Sequence, residues 1–171
     1  MKTISLNGPW RMRKAGAARF YDVTVPTTVC TDLLANGLLE DPYYRDNEDA
    51  ALLALRSAYE YSRTFPVPED FLDADSVELV CHGIDTIADI HLNGALLFRA
   101  DNMHRTWRTG VKAALHPGEN AIRVCFHSAA EYAEPLEREN PVYTTSDTVH
   151  GIEQVRKATF MYGWDWGVSH H

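Results

Sequence analysis

Ile84-Asp85-Thr86-Ile87-Ala88-Asp89-Ile90-His91-Leu92-Asn93-Gly94-Ala95-Leu96-Leu97-Phe98 is the stretch on which the fold turns. Two extended apolar runs meet at Asn93-Gly94, and Asn-Gly accepts the positive φ of a type I′ turn. The stretch therefore predicts a β-hairpin. On either side the same period-2 habit returns. Val77, Leu79 and Cys81 alternate against Glu78 and His82, and Tyr59, Tyr61, Arg63 and Phe65 share one face opposite Glu60, Ser62 and Thr64. Trp107 to Val111 is a further strand, and Ala121 to Phe126 another, introduced by the turn His116-Pro117-Gly118-Glu119-Asn120.

Nearer the N-terminus, Trp10-Arg11-Met12-Arg13 and Tyr21 to Val25 alternate in the same way. Thr27 or Thr28 can cap a short helix through Val29, Leu33 and Leu34 that Gly37 stops, and a second helix is expected from Asp49 to about Arg56. Beyond Ser128, Ala129 to Glu139 reads as one helical turn or two, and Asn140 to Gly151 as an extended loop. Strands at regular spacing with turn chemistry between them predict an all-β fold, an antiparallel β-sandwich of jelly-roll character with short helical decorations. Residues 1–171 show no repeat or linker and are expected to form a single domain.

Composition narrows the partners. A net charge of -8 and 24 acidic against 16 basic residues disfavour nucleic acid and anionic membranes, and leave a neutral ligand compatible. The N-terminal run breaks at Gly8-Pro9 before a secretory core can form, and no segment has the length to cross a bilayer, so a cytoplasmic location is expected. Cys81 and Cys125 sit in apolar runs as small hydrophobes, which disfavours a Cys–His nucleophile pair. His82, His91, His104, His116, His127 and His150 lack zinc-ligand spacing; no metal site and no cofactor is expected.

The candidate binding stretch is Phe160-Met161-Tyr162-Gly163-Trp164-Asp165-Trp166-Gly167. Indole faces cover the C–H face of a pyranose, while a carboxylate accepts bonds from adjacent hydroxyls, so Trp164 and Asp165 suit a neutral sugar. Core tryptophans around a turn aspartate would give the same pattern.

Several motifs occur here in a telling order: Leu6-Asn7-Gly8-Pro9-Trp10; Val25-Pro26 with Asp32-Leu33-Leu34; Asp41-Pro42-Tyr43-Tyr44 with Asp46-Asn47-Glu48; and Tyr59-Glu60-Tyr61-Ser62-Arg63. They continue through Gly83 to Ala88, Leu92-Asn93-Gly94, Asn102-Met103-His104-Arg105, Arg156-Lys157 and Gly163 to Gly167. In that register the chain resembles the β-mannosidases of glycoside hydrolase family two, and only their N-terminal sugar-binding-like jelly roll. The resemblance implies that the catalytic glutamates, which a retaining glycosidase holds about 5 Å apart, belong to a separate (β/α)₈ barrel. No counterpart of either is present. Asn47-Glu48 imitates the asparagine before the family's acid/base but matches its N-domain loop.

By the same resemblance Trp164 walls the subsite for the nonreducing mannose and Asp165 accepts its hydroxyls. Trp166, Arg156 and Lys157 would support that loop, the two cations by pairing with nearby acids; solvated surface charge is the other reading of the pair. The family usually continues Gly-Pro where this chain has Val168-Ser169-His170-His171, so either the parent protein ends there or, the favoured expectation, the chain is a fragment, and the two histidines are not a metal site. Three functions follow as expectations: a non-catalytic domain that contributes to a β-mannoside pocket and docks a barrel, a free-standing carbohydrate-binding module, or a structural interaction domain. The first predicts an exposed apolar patch, with either self-association of the isolated chain or disorder from Asn140 to Gly167.

Overall fold

A computed structural model describes residues 2–142 and 151–162. Eight strands form two antiparallel sheets: β1 (Gly8–Lys14), β2 (Tyr21–Val25), β3 (Tyr59–Val67), β4 (Glu78–Cys81), β5 (Ala88–Leu92), β6 (Ala95–Ala100), β7 (Trp107–Gly110) and β8 (Gly118–Phe126). The larger sheet has the order β2-β1-β3-β8-β5-β6, and β4 pairs with β7 in the smaller one. Helices α1 (Val29–Ala35), α2 (Asn47–Leu55) and α3 (Ala129–Glu139) complete the fold. The expected all-β sandwich is what forms.

Alternation explains the layers. Trp10, Met12, Val23, Tyr59, Tyr61, Phe65, Ile90, Leu92, Ile122 and Val124 turn to one side of the large sheet and are buried. Leu79, Cys81 and Trp107 of the small sheet pack onto that core, as do Leu33 of α1 and Leu55 of α2. Burying one such aliphatic or aromatic side chain contributes roughly 1.5–3 kcal/mol. The hairpin forms as expected, with Asn93 at φ 50° and Gly94 at φ 85°.

Four elements depart from the sequence reading. Strand β3 runs through Pro66 to Val67, because β1 pairs with it only as far as Ser62 and leaves the proline's missing N–H on an unpaired side. Strand β5 begins at Ala88, so Ile84 to Ile87 form a loop. Helix α3 spans eleven residues where one or two turns were expected. It accommodates Pro135, Ser128 caps it by accepting from the Glu131 amide at 3.1 Å, and Ala130 and Ala133 bury its inner face. Helix α2 starts two residues earlier than expected, with Glu48 and Asp49 in a first turn that favours acidic side chains.

Two polar groups on the core side hold the edges. Arg63 donates to the carbonyls of Leu6 and Asn7 at 2.9 and 2.7 Å, which fixes the segment leading into β1. Asp32 of α1, only 4% exposed, accepts from Tyr61 Oη at 2.7 Å and from Thr27 Oγ1 at 2.8 Å. A buried carboxylate is tolerated only when hydrogen-bonded, so this pair locks α1 to β3. Burial, then the bond to Asp32 and its charge, push the Tyr61 phenol up from its ordinary value.

Tyr61→Phe should therefore lower the urea midpoint by the equivalent of about 1–3 kcal/mol with an unchanged m-value. The folded chain also retains a phenol proton that the unfolded chain releases above about pH 10, so stability is present below that pH and is lost above it. The variant should flatten this alkaline limb, as pH-dependent urea titrations would reveal.

Candidate functional site: a rim of loops at one end of the sandwich

The strand register gathers the chemistry-bearing loops. Ala88 pairs with both Ala100 and Phe126, Tyr59 also pairs with Phe126, and Cys81 pairs with Trp107. The starts of β3, β5 and β7 and the ends of β4, β6 and β8 therefore lie at one end. Loops 82–87 and 101–106 and the junction from β8 into α3 form the rim there.

Residues 151–162 pack across this rim. Gly151 adopts φ +86°, and a Cβ there would lie 3.0 Å from the Ala133 carbonyl oxygen, so only glycine lets the segment approach α3 this closely. Ile152 packs on Ala130, and Val155 packs with Ala129, Ala133 and Ile87. Residues 102 and 156 form a parallel bridge. The Met103 amide donates to the Arg156 carbonyl at 3.1 Å, and the Ala158 amide donates to Met103 Sδ at 3.0 Å.

Lys157 is the charged anchor. Its side chain, 7% exposed, donates to Asp85 Oδ2 at 2.5 Å, joining loop 82–87 to a segment 72 positions away. A buried ammonium persists only with such a partner. Lys157 thus pairs with Asp85. Arg156 contributes its main chain instead: its side chain is exposed and, among the described residues, makes no ion pair. Trp164, Asp165 and Trp166 lie outside the described residues. Sequence reading missed Asp85; the signal was a carboxylate between Ile84 and Ile87, although no periodicity could name its partner.

Beside the anchor, Trp107 stacks on Phe98 with ring centroids 5.5 Å apart, and the Arg105 guanidinium lies 4.2 Å over the Trp107 ring. Arg105 and Trp107 thus form a packed part of the rim. Large apolar side chains are exposed on the elements leading to and from the rim: Tyr43, Tyr44 and Leu53 around α2, Tyr132 on α3, and Phe160.

The rim offers no reactive thiolate. Burial pushes the Cys81 thiol up to about 11 and raises Cys30 as well. Burial also raises Cys125, where the charge of Arg123 opposes it and those of Glu60 and Asp89 reinforce it. Cysteine nucleophiles need the opposite shift. Among the described residues no group of three or more His, Cys, Asp or Glu could hold a metal ion, and no helix is long and apolar enough to cross a membrane.

Comparison with known proteins places this geometry. Residues 10–171 match the family model described as "Glycosyl hydrolase 2 galactose-binding domain-like". The chain is similar to a β-mannosidase of Mus musculus, with 30% identity over 98% of this chain and 20% of that protein. It is also similar to β-mannosidase B of Emericella nidulans, with 35% identity over 84% of this chain and 17% of that protein. A β-D-mannosidase of Dictyoglomus thermophilum superposes with a TM-score of 0.94 and 31% identity, over 99% of this chain and 21% of that one. A β-glucuronidase from an uncultured Clostridium, at 19% identity and a TM-score of 0.56, shares the fold. The chain spans about one fifth of the length of the β-mannosidases it matches.

Lys157→Met should leave Asp85 without its cation. With Asp85 about one third exposed, the expected loss is about 2 kcal/mol, below the range for fully buried pairs. Hydrogen exchange at the Met103 and Ala158 amides should accelerate beyond the global change, and Lys157→Arg should restore most of the protection.

Proposed function

This chain belongs to the glycosyl hydrolase 2 galactose-binding-like domains, and from that membership we propose that it serves a β-mannosidase as a non-catalytic domain that completes the sugar pocket. The observation that carries the reading is the superposition on a β-D-mannosidase over 99% of the chain at a TM-score of 0.94. In that role the rim faces the reaction and the bond-breaking acids come from the remaining four fifths of a longer enzyme. Trp164 covers the C–H face of the terminal mannose, and Asp165 accepts from its hydroxyls. A carboxylate set against hydroxyls forms charge-assisted bonds that reject a sugar with one hydroxyl misplaced.

The anchor gives the loop its footing. Lys157 and Asp85 hold the segment six residues before Gly163, so the chain enters the Trp-Asp-Trp stretch from a fixed point on the sandwich. Tyr43, Tyr44, Leu53 and Phe160 are the apolar side chains that a docked barrel would cover. Left uncovered, they favour self-association of the isolated chain.

Kinetics with an aryl β-mannoside test the reading. This chain alone should give no turnover. In the longer enzyme, Trp164→Ala and Asp165→Asn should each lower kcat/KM by about ten- to a hundredfold, the loss expected for one stacking face or one charged hydrogen bond. Turnover by the chain alone, or unchanged kcat/KM in both variants, would sink it.

A further inference from the structure

The outward face of the large sheet carries a second concentration of polar chemistry, away from the rim. A groove of about 530 Å³ lies over β2, β1, β3, β8 and β5 near the hairpin end, bounded by Pro9, Gly94 and Ala121. One rung of the sheet crosses it. Arg11 is opposite both Asp22 and Ser62, Ser62 is opposite Arg123, and Arg123 is opposite His91. With strands about 4.8 Å apart, that rung is about 19 Å long, room for an oligosaccharide rather than a single ring.

What marks the groove is unspent hydrogen-bonding capacity. Toward the rim, the outward side chains satisfy one another: Arg13 and Arg123 share Glu60 at 2.5 and 3.3 Å, while Arg99 and His127 share Asp89 at 3.1 and 3.2 Å. Within the groove, Arg123 apart, the outward side chains do not. Among the described residues, the side chains of Asp22, Ser62 and Thr64 have no hydrogen-bond partner, and His91 Nδ1 is buried without one. The Arg11 guanidinium lies 4.9 Å from the centroid of the Phe20 ring and, among the described residues, makes no ion pair, although Asp22 is its register partner. A guanidinium fork and a carboxylate thus stand side by side, both available, with two hydroxyls next to them.

That set selects the ligand's chemistry. Asp22 repels an anion, and Arg11 with Arg123 repels a cation. A neutral polyol satisfies all of them, because each hydroxyl both donates to a carboxylate and accepts from a guanidinium. The volume falls among those of small-molecule sites, roughly 300–1,000 Å³. We propose that this groove is a saccharide-binding site for a neutral oligosaccharide, held through Arg11, Asp22, Ser62 and Arg123 and independent of the rim.

The test is a titration of the isotopically labelled 171-residue chain with a β-linked mannose disaccharide, followed by amide NMR. Saturable shifts should appear at Arg11, Asp22, Ser62, His91 and Arg123 and persist in high salt, since the ligand carries no charge. Asp22→Asn and Arg11→Gln, both exposed and outside the core, should fold normally and weaken binding about tenfold each. Shifts confined to residues 82–87, 101–106 and 151–162 would overturn the groove while supporting the rim. Tighter, salt-sensitive binding of a uronic acid, no saturation by any sugar, or unchanged affinity in both variants would also overturn it. Loss of mannosidase activity in rim variants leaves the groove untouched, so the two readings fail separately.

Discussion

The pairing of β3 with β8 is the constraint on which the molecule rests. Tyr59 to Val67 and Gly118 to Phe126 form an unbroken antiparallel ladder, the longest in the sheet, with two strands outside it on each side. Because side chains alternate strictly along a strand, that register assigns every neighbouring residue to a face. A slip of one position would put Tyr61, Phe65, Ile122 and Val124 into water and Glu60, Ser62 and Arg123 into the core. The hydrophobic cost of such a slip, several kcal/mol at roughly 2 kcal/mol per side chain, far exceeds any gain from rim or surface contacts.

Fixing the faces also divides the domain's labour. The inward face is closed by the small sheet and by α1 and α2, and its polar intruders are satisfied: Asp32 by Tyr61 and Thr27, Arg63 by two carbonyls. Among the described residues, the side chains of the outward face are mutually paired toward the rim and, Arg123 apart, unspent toward the hairpin. The ends of the strands are a third surface, where loops too irregular for either sheet meet. A jelly roll is useful to a sugar-active protein for this reason: a rigid sheet holds loops and faces in register while their side chains vary.

At the rim, one ion pair does what backbone pairing cannot. Among the described residues, 151–162 join no strand beyond a single bridge at residues 102 and 156, so their position depends on Gly151 fitting against α3, Val155 filling the gap beside Ile87, and Lys157 reaching Asp85. An ion pair with one buried partner contributes little net stability against an apolar substitute, but it is intolerant of displacement, because the Lys157 ammonium without Asp85 is a buried charge. That makes it a device for fixing position.

The chain by itself determined much of this. Period-2 alternation and Asn93-Gly94 specified the strands and the hairpin, because both signals act over a few residues and need no partner. The ordered motifs, Gly163 to Gly167 among them, identified the family. What the sequence could not carry was anything set by contacts across long separations. The length of α3 was decided by burial of Ala130 and Ala133, against the local penalty of Pro135. The tolerance of Pro66 depended on β1 ending its ladder early. Asp85 found Lys157, and Arg11 and Asp22 were left unpaired side by side, only once the strand order was fixed. Local chemistry names the elements; which charges meet, and which are left free, is a property of the assembled sheet.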